Sequence, residues 1–231
     1  MQTKQDGRLG TEKIGKLMLE LALPSVLAQI VNVLYNIVDR IYIGRIPDVG
    51  SLALTGVGVT FPIITIISAF AGFASGGGAP LAAIALGQKK PGPRRKNSWK
   101  LHFPAALFLR VSDGVFLFFQ TPLLYLFGAS SNTIRYASTY ISIYLVGTVF
   151  VELAVGLNTF ISCQGHARTA MCSVLIGAVI NIGLDPVFIF VLHMGVSGAA
   201  LATILSQALS AAWVLRFLTS KNQVSAFLFA P

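Results

Sequence analysis

The sequence predicts an all-α, polytopic membrane protein with six transmembrane helices. Three observations carry this prediction. Of 231 residues, 55% are hydrophobic and 11% charged, with a mean hydropathy of +0.75. An average soluble domain carries about 25% charged residues, so this chain has too little charge to cover a soluble surface. Six apolar segments, at 17–43, 52–87, 101–127, 136–163, 169–192 and 196–218, are long enough to span a bilayer, for which about 20 residues suffice. Finally, the basic residues cluster between apolar segments, as in Lys89, Lys90, Arg94, Arg95, Lys96 and Lys100.

Residues 1–16 are polar and basic and lack the apolar core and small-residue cleavage site of a removable signal peptide, so the first span is itself the membrane signal. That span carries Ser25, Gln29, Asn32, Asn36 and Asp39 at steps of 4, 3, 4 and 3, which places all five on one helical face. A polar stripe on a membrane helix cannot face lipid; it lines a neighbouring helix or a wet cavity. Interhelical hydrogen bonds worth about 0.6 kcal/mol each account for the amides. They account less well for Asp39, although Arg40 beside it is an available partner near the interface.

The second segment has no charge between Val49 and Gln88. Its length would allow two short spans hinged at Gly76-Gly77-Gly78, but charge parity favours one long, tilted helix bent near Pro62. The third segment holds Arg110 and Asp113 within a span. In the fourth, Glu152 suits either a cavity or an interfacial role. Tyr140 and Asn158 share a face of that helix but stand five turns apart, too far to form one site.

The fifth segment contains Asn181-Ile-Gly-Leu-Asp185-Pro186. An Asp at a transmembrane helix centre costs roughly 2.5–3.5 kcal/mol, which makes it a functional candidate. Asn181 and Asp185, at i and i+4, share a face, and Pro186 has no N–H to donate to the Ile182 carbonyl. A carboxylate, an amide oxygen and a freed carbonyl suit a proton or a small hard cation such as Na⁺. The competing reading is a protonated Asp that plugs a helix kink. Thr203, in the sixth segment, has a hydroxyl to add to the same site, although threonines often bond back to their own helix.

The net charge of +9 is a topology signal rather than a nucleic-acid footprint. With six spans and the N-terminus inside, thirteen Lys and Arg fall on the inner side. Only Arg40, Arg45 and Arg135 fall outside. This predicts two cytoplasmic termini in the plasma (inner) membrane. Cys163 and Cys172, with His166 nearby, lack metal-site spacing. Small residues at four-residue spacing, as at Gly72 and Gly76, suit close helix packing.

Four stretches carry a resemblance. L-A-L-P-S-V-L-A-Q-I-V-N-V-L-Y-N-I-V-D-R-I-Y-I-G resembles the first helix of the MATE (multidrug and toxic compound extrusion) transporters. T-G-V-G-V-T-F-P resembles their second, G-L-N-T-F-I-S-C-Q-G-H-A-R-T-A-M the segment after their fourth, and N-I-G-L-D-P-V-F-I their fifth. The resemblance covers residues 15–90 and 114–218. It implies a six-helix lobe at 17–218, one of the two lobes of an antiporter that exports organic cations in exchange for H⁺ or Na⁺ by alternating access. It further implies a coupling-ion site at Asp39, Asn181, Asp185 and Thr203, and a cavity near Tyr140 and Asn158, with Gln29, Asn32 and Asn36 on the polar stripe lining it. No cofactor and no metal beyond Na⁺ are expected. The expected partners are lipid, small organic cations, and a second lobe or a homodimer partner.

Two features depart from the family pattern. The chain has one lobe's length, and R-R-K-N-S-W-K-L-H-F-P-A-A-L-F-L-R-V-S-D stands where the third helix should begin. With suitable codons, this stretch read one base out of frame resembles a MATE third helix, which suggests a local frame displacement at about 93–113. Residues 219–231 read as a cytoplasmic tail at a truncation. A non-functional fragment of a MATE gene is therefore the alternative to a half-length antiporter. An intramembrane serine hydrolase using Ser75 and His193 is the remote one, because the G-x-S-G spacing is missing and His193 sits at a span end. The chain is not expected to be an enzyme.

Overall fold

The computed structural model describes residues 14–87, 114–163 and 165–219, and all regular structure among them is helical. The helices are α1 (Ile14–Gly44), α2 (Gly50–Gly87), α3 (Gly114–Leu126), α4 (Ile134–Cys163), α5 (Ala167–Pro186) and α6 (Val196–Thr219). A π turn, Val187–Val191, extends α5. Among the described residues, five helices are long and apolar enough to cross a membrane, and α3 is a shorter apolar helix. The basic cluster, Arg110, the proposed frame displacement at 93–113 and most of the tail lie outside the described residues.

Chain chemistry explains the boundaries. α1 turns into α2 through Asp48 at φ 63°, a left-handed conformation that Asp tolerates better than most residues. α2 runs unbroken through Gly76–Gly78. At Pro186 the α5 ladder loses a donor. The Val187 N–H bonds to the Leu184 carbonyl, and the chain widens into the π turn closed by Leu192 N–H to the Val187 carbonyl at 2.9 Å. Gly195, at φ 56°, then redirects the chain into α6.

α4 is the hub of the lobe, packing on α2, α5 and α6. Its approach to α6 is close: a Cβ on Gly147 would lie 2.5 Å from three side-chain carbons of Ile204. α1 lies at one side, packed chiefly on α5 with only edge contact to α2 and α6. One apolar cluster, around Ile43, Tyr140, Ile189 and Ala199, sits at the end of the lobe opposite the start of α1 and the end of α6. A second joins α2, α3 and α4 around Ile63, Leu124 and Ile141. A third, Ile161, Ala170 and Val214, closes the end where α4 finishes and α5 begins.

Candidate functional site

The α1–α5 contact places Asp39 against Asp185. Their carboxyl groups interact directly, although the residues are 146 positions apart in sequence. Asp39 is 7% exposed, and Asp185 and Asn181 are fully buried. Asn181 donates from Nδ2 to Asp185 Oδ1 at 3.3 Å, the one-turn contact that their spacing predicts. One oxygen on each of the three, Asp39 Oδ1, Asn181 Oδ1 and Asp185 Oδ2, is buried without a hydrogen-bond partner. Buried polar atoms are nearly always satisfied, so three such oxygens in one group mark a place built to receive something.

Thr203 and Tyr140 complete the surroundings. The Thr203 hydroxyl donates back to the Ala199 carbonyl at 3.0 Å, which leaves its oxygen able to accept. Tyr140, stacked on Tyr144, reaches Thr203 from α4 and lies in the field of Asp39. Two residues that sequence reasoning missed belong here. Tyr35 approaches Gln207 and lies near both aspartates. The signal was available, since Tyr35 stands one turn before Asp39 and Gln207 one turn after Thr203.

The other candidates are elsewhere. Asn158 accepts a hydrogen bond from Ser173 at 2.8 Å, well apart from Tyr140. On α1, Ser25, Gln29 and Asn36 face outward from the lobe and Asn32 is half-buried. Ser25 donates to the Leu21 carbonyl at 3.1 Å and Asn36 to the Asn32 carbonyl at 2.6 Å. A shallow groove lined by Ser25, Val26, Gln29, Ile30, Val33 and Leu34 runs along this side. The sequence stripe is therefore divided, with Asp39 turned into the lobe and the amides of the preceding turns at its surface. Arg40 acts on Asp39 through its charge, while its guanidinium lies 5.3 Å over the Phe61 ring, a cation–π contact. His193, exposed in the turn before α6 at φ 52°, has none of the burial that a hydrolase base at membrane depth would need.

The family model described as MatE matches residues 24–187. A curated relative, the multidrug export protein MepA of Staphylococcus haemolyticus (strain JCSC1435), is 29% identical over 215 residues, covering 93% of this chain and 47% of that protein. Among solved structures, a crystal structure of MATE in the straight conformation aligns with a TM-score of 0.83 at 26% identity, over 96% of this chain and 49% of that one. A crystal structure of MATE in complex with MaD3S aligns with a TM-score of 0.80 at 26% identity, over 93% and 48%. The chain spans about half the length of the curated relatives it matches.

Proposed function

The chain belongs to the MatE family, a family of membrane efflux proteins rather than enzymes, and on that premise we propose that it forms one lobe of an antiporter exporting organic cations in exchange for H⁺ or Na⁺. The observation that carries the reading is the group of three unpartnered buried oxygens contributed by Asp39, Asn181 and Asp185. Two adjacent carboxylates repel when both are ionised, and a proton or a hard cation between them relieves that repulsion. Ion binding therefore favours the state in which α1 and α5 are drawn together. Ion loss favours the state in which they part, and an ion drives exchange only through such a difference. An organic cation attracted by the same carboxylates is displaced when the ion enters. Thr203 offers its hydroxyl oxygen to the same ion, and Tyr140, which reaches Thr203, lines the cavity beside it.

The remaining assignments follow from this reading. Ser25, Gln29 and Asn36 lie exposed on a helix of membrane-spanning length, and amides facing hydrocarbon are costly. We assign them to a central cavity closed by a second six-helix lobe or a second copy of the chain. The excess of Lys and Arg at 1–16, 89–100, Arg168, Arg216 and Lys221 puts both termini in the cytoplasm, with the lobe in the plasma membrane.

The test is accumulation of a fluorescent cationic dye in a drug-sensitive bacterium expressing this chain alone or with a second lobe from a relative. The proposal expects lowered accumulation that requires a proton or Na⁺ gradient and disappears in Asp185→Asn. Efflux unchanged in that variant would contradict it.

A further inference from the structure

Arg40 follows Asp39 on α1, one turn before that helix ends at Gly44. Membrane topology does not account for it, because in the proposed orientation Arg40 lies on the side where Lys and Arg are scarce. Its guanidinium is placed by a second helix: it lies 5.3 Å over the ring of Phe61, on α2. Such a contact is worth about 0.5–2 kcal/mol and keeps the group from turning away into water. Among the described residues, Arg40 is the cation whose charge acts on Asp39.

Without Arg40, the pair would have the chemistry of a divalent-ion site. Two carboxylates, the Asn181 amide oxygen and the Thr203 hydroxyl are hard oxygen donors, the donor class that Ca²⁺ takes. Affinity in such sites follows the number of charged ligands. With both acids ionised, the pair carries two negative charges, and the neighbouring guanidinium reduces the local balance to one. A guanidinium is charged at every working pH, so this reduction is permanent. One monovalent cation then neutralises the group. A divalent ion would leave an uncompensated positive charge among side chains that are buried, where unpaired charge is costly.

We propose that Arg40, held against Phe61, sets the valence of the ion that the Asp39–Asp185 pair accepts, admitting one positive charge and rejecting divalent cations. The inference rests on reading that pair as the ion site. Arg40 is a positioning residue that touches no ion; it acts through the charge balance around the two carboxylates. Phe61 acts one step further out, by fixing where that charge sits.

Calorimetric titration of the purified chain in nanodiscs of uncharged lipid, with Na⁺ and with Ca²⁺ at fixed ionic strength, tests this. The unaltered protein should bind Na⁺ more tightly than Ca²⁺. Arg40→Gln and Arg40→Met should tighten both ions, and unequally. The Coulomb energy between Arg40 and a bound ion doubles with the ion's charge, so a gain of about threefold for Na⁺ should accompany one of about tenfold for Ca²⁺. Arg40→Lys keeps the charge and should keep the affinity ratio of the unaltered protein. Arg45→Gln removes an exposed charge from the turn after α1 and should leave that ratio nearly unchanged, since exposed charges are screened. Size-exclusion profiles check the folding of each variant. Ca²⁺ bound more tightly than Na⁺ by the unaltered protein would overturn the proposal. So would a Ca²⁺ to Na⁺ ratio unmoved in the neutral variants, or moved equally by Arg45→Gln. Failure of the ion-site reading would appear separately, as Na⁺ binding unaffected by Asp185→Asn.

Discussion

Asp39 of α1 and Asp185 of α5 meet inside the lobe, carboxyl to carboxyl, and α1 touches little of the lobe beyond α5. The position of α1, whose main packing partner is α5, thus depends on the charge between two acids. A bound ion at this contact can act on α1 directly, without a relay through the core.

Asn181 holds Asp185 through one hydrogen bond and offers its own oxygen. Hydrogen bonds to charged groups are worth about 1.5–3 kcal/mol. Asn181→Ala should therefore weaken Na⁺ or H⁺ binding by roughly 10- to 100-fold without abolishing it. Calorimetric titration of the purified chain measures this; unchanged affinity would remove Asn181 from the site.

Protons and Na⁺ should compete, because both need the same unpartnered oxygens. Lowering the pH should weaken apparent Na⁺ affinity while leaving the saturating signal intact. Titrations at several pH values check this, and pH-independent Na⁺ affinity would mean separate sites.

The α4–α6 contact depends on the missing side chain at Gly147. Overpacking costs about 1–3 kcal/mol, so Gly147→Ala should lower the melting temperature in detergent. Adding Ile204→Ala, which removes the three opposing carbons, should recover much of the loss. No recovery in the double variant would locate the constraint elsewhere.

Gln29 lies on the outer side of α1 in the shallow groove. Gln29→Leu should change the stability of the lobe by less than about 0.5 kcal/mol, as substitutions away from packed features do. It should nevertheless alter which cationic dyes are exported. A large fall in melting temperature would instead assign Gln29 a packing role.

Much of this site was legible in the sequence. A carboxylate and an amide four residues apart before a proline, inside an apolar run, specify a shared face and a broken ladder through local geometry alone. The meeting of Asp39 with Asp185 was not legible from spacing, since it depends on which helix α1 packs against; resemblance to the family supplied it. Steps of 4, 3, 4 and 3 put the α1 stripe on one side of that helix, but helical period cannot say where the lobe's edge cuts across it. Asp39 fell inside and Gln29 outside. Tyr35 and Gln207 were missed because a tyrosine one turn before Asp39 and a glutamine one turn after Thr203 stand out only once those neighbours are seen to converge. Pro186 signalled a break, yet the π turn after it follows from how the Leu192 and Met194 N–H groups find carbonyls at the end of the helix.

The most direct measurement is cation binding to the purified chain, with Na⁺ and with protons, in the unaltered protein, Asp185→Asn and Asp48→Asn. Asp48 is exposed in the turn between α1 and α2, in a backbone conformation that asparagine adopts readily. Saturable binding that survives Asp48→Asn and is lost in Asp185→Asn is the predicted result. Binding of equal strength in all three proteins would contradict the assignment of the Asp39–Asp185 pair as the coupling-ion site.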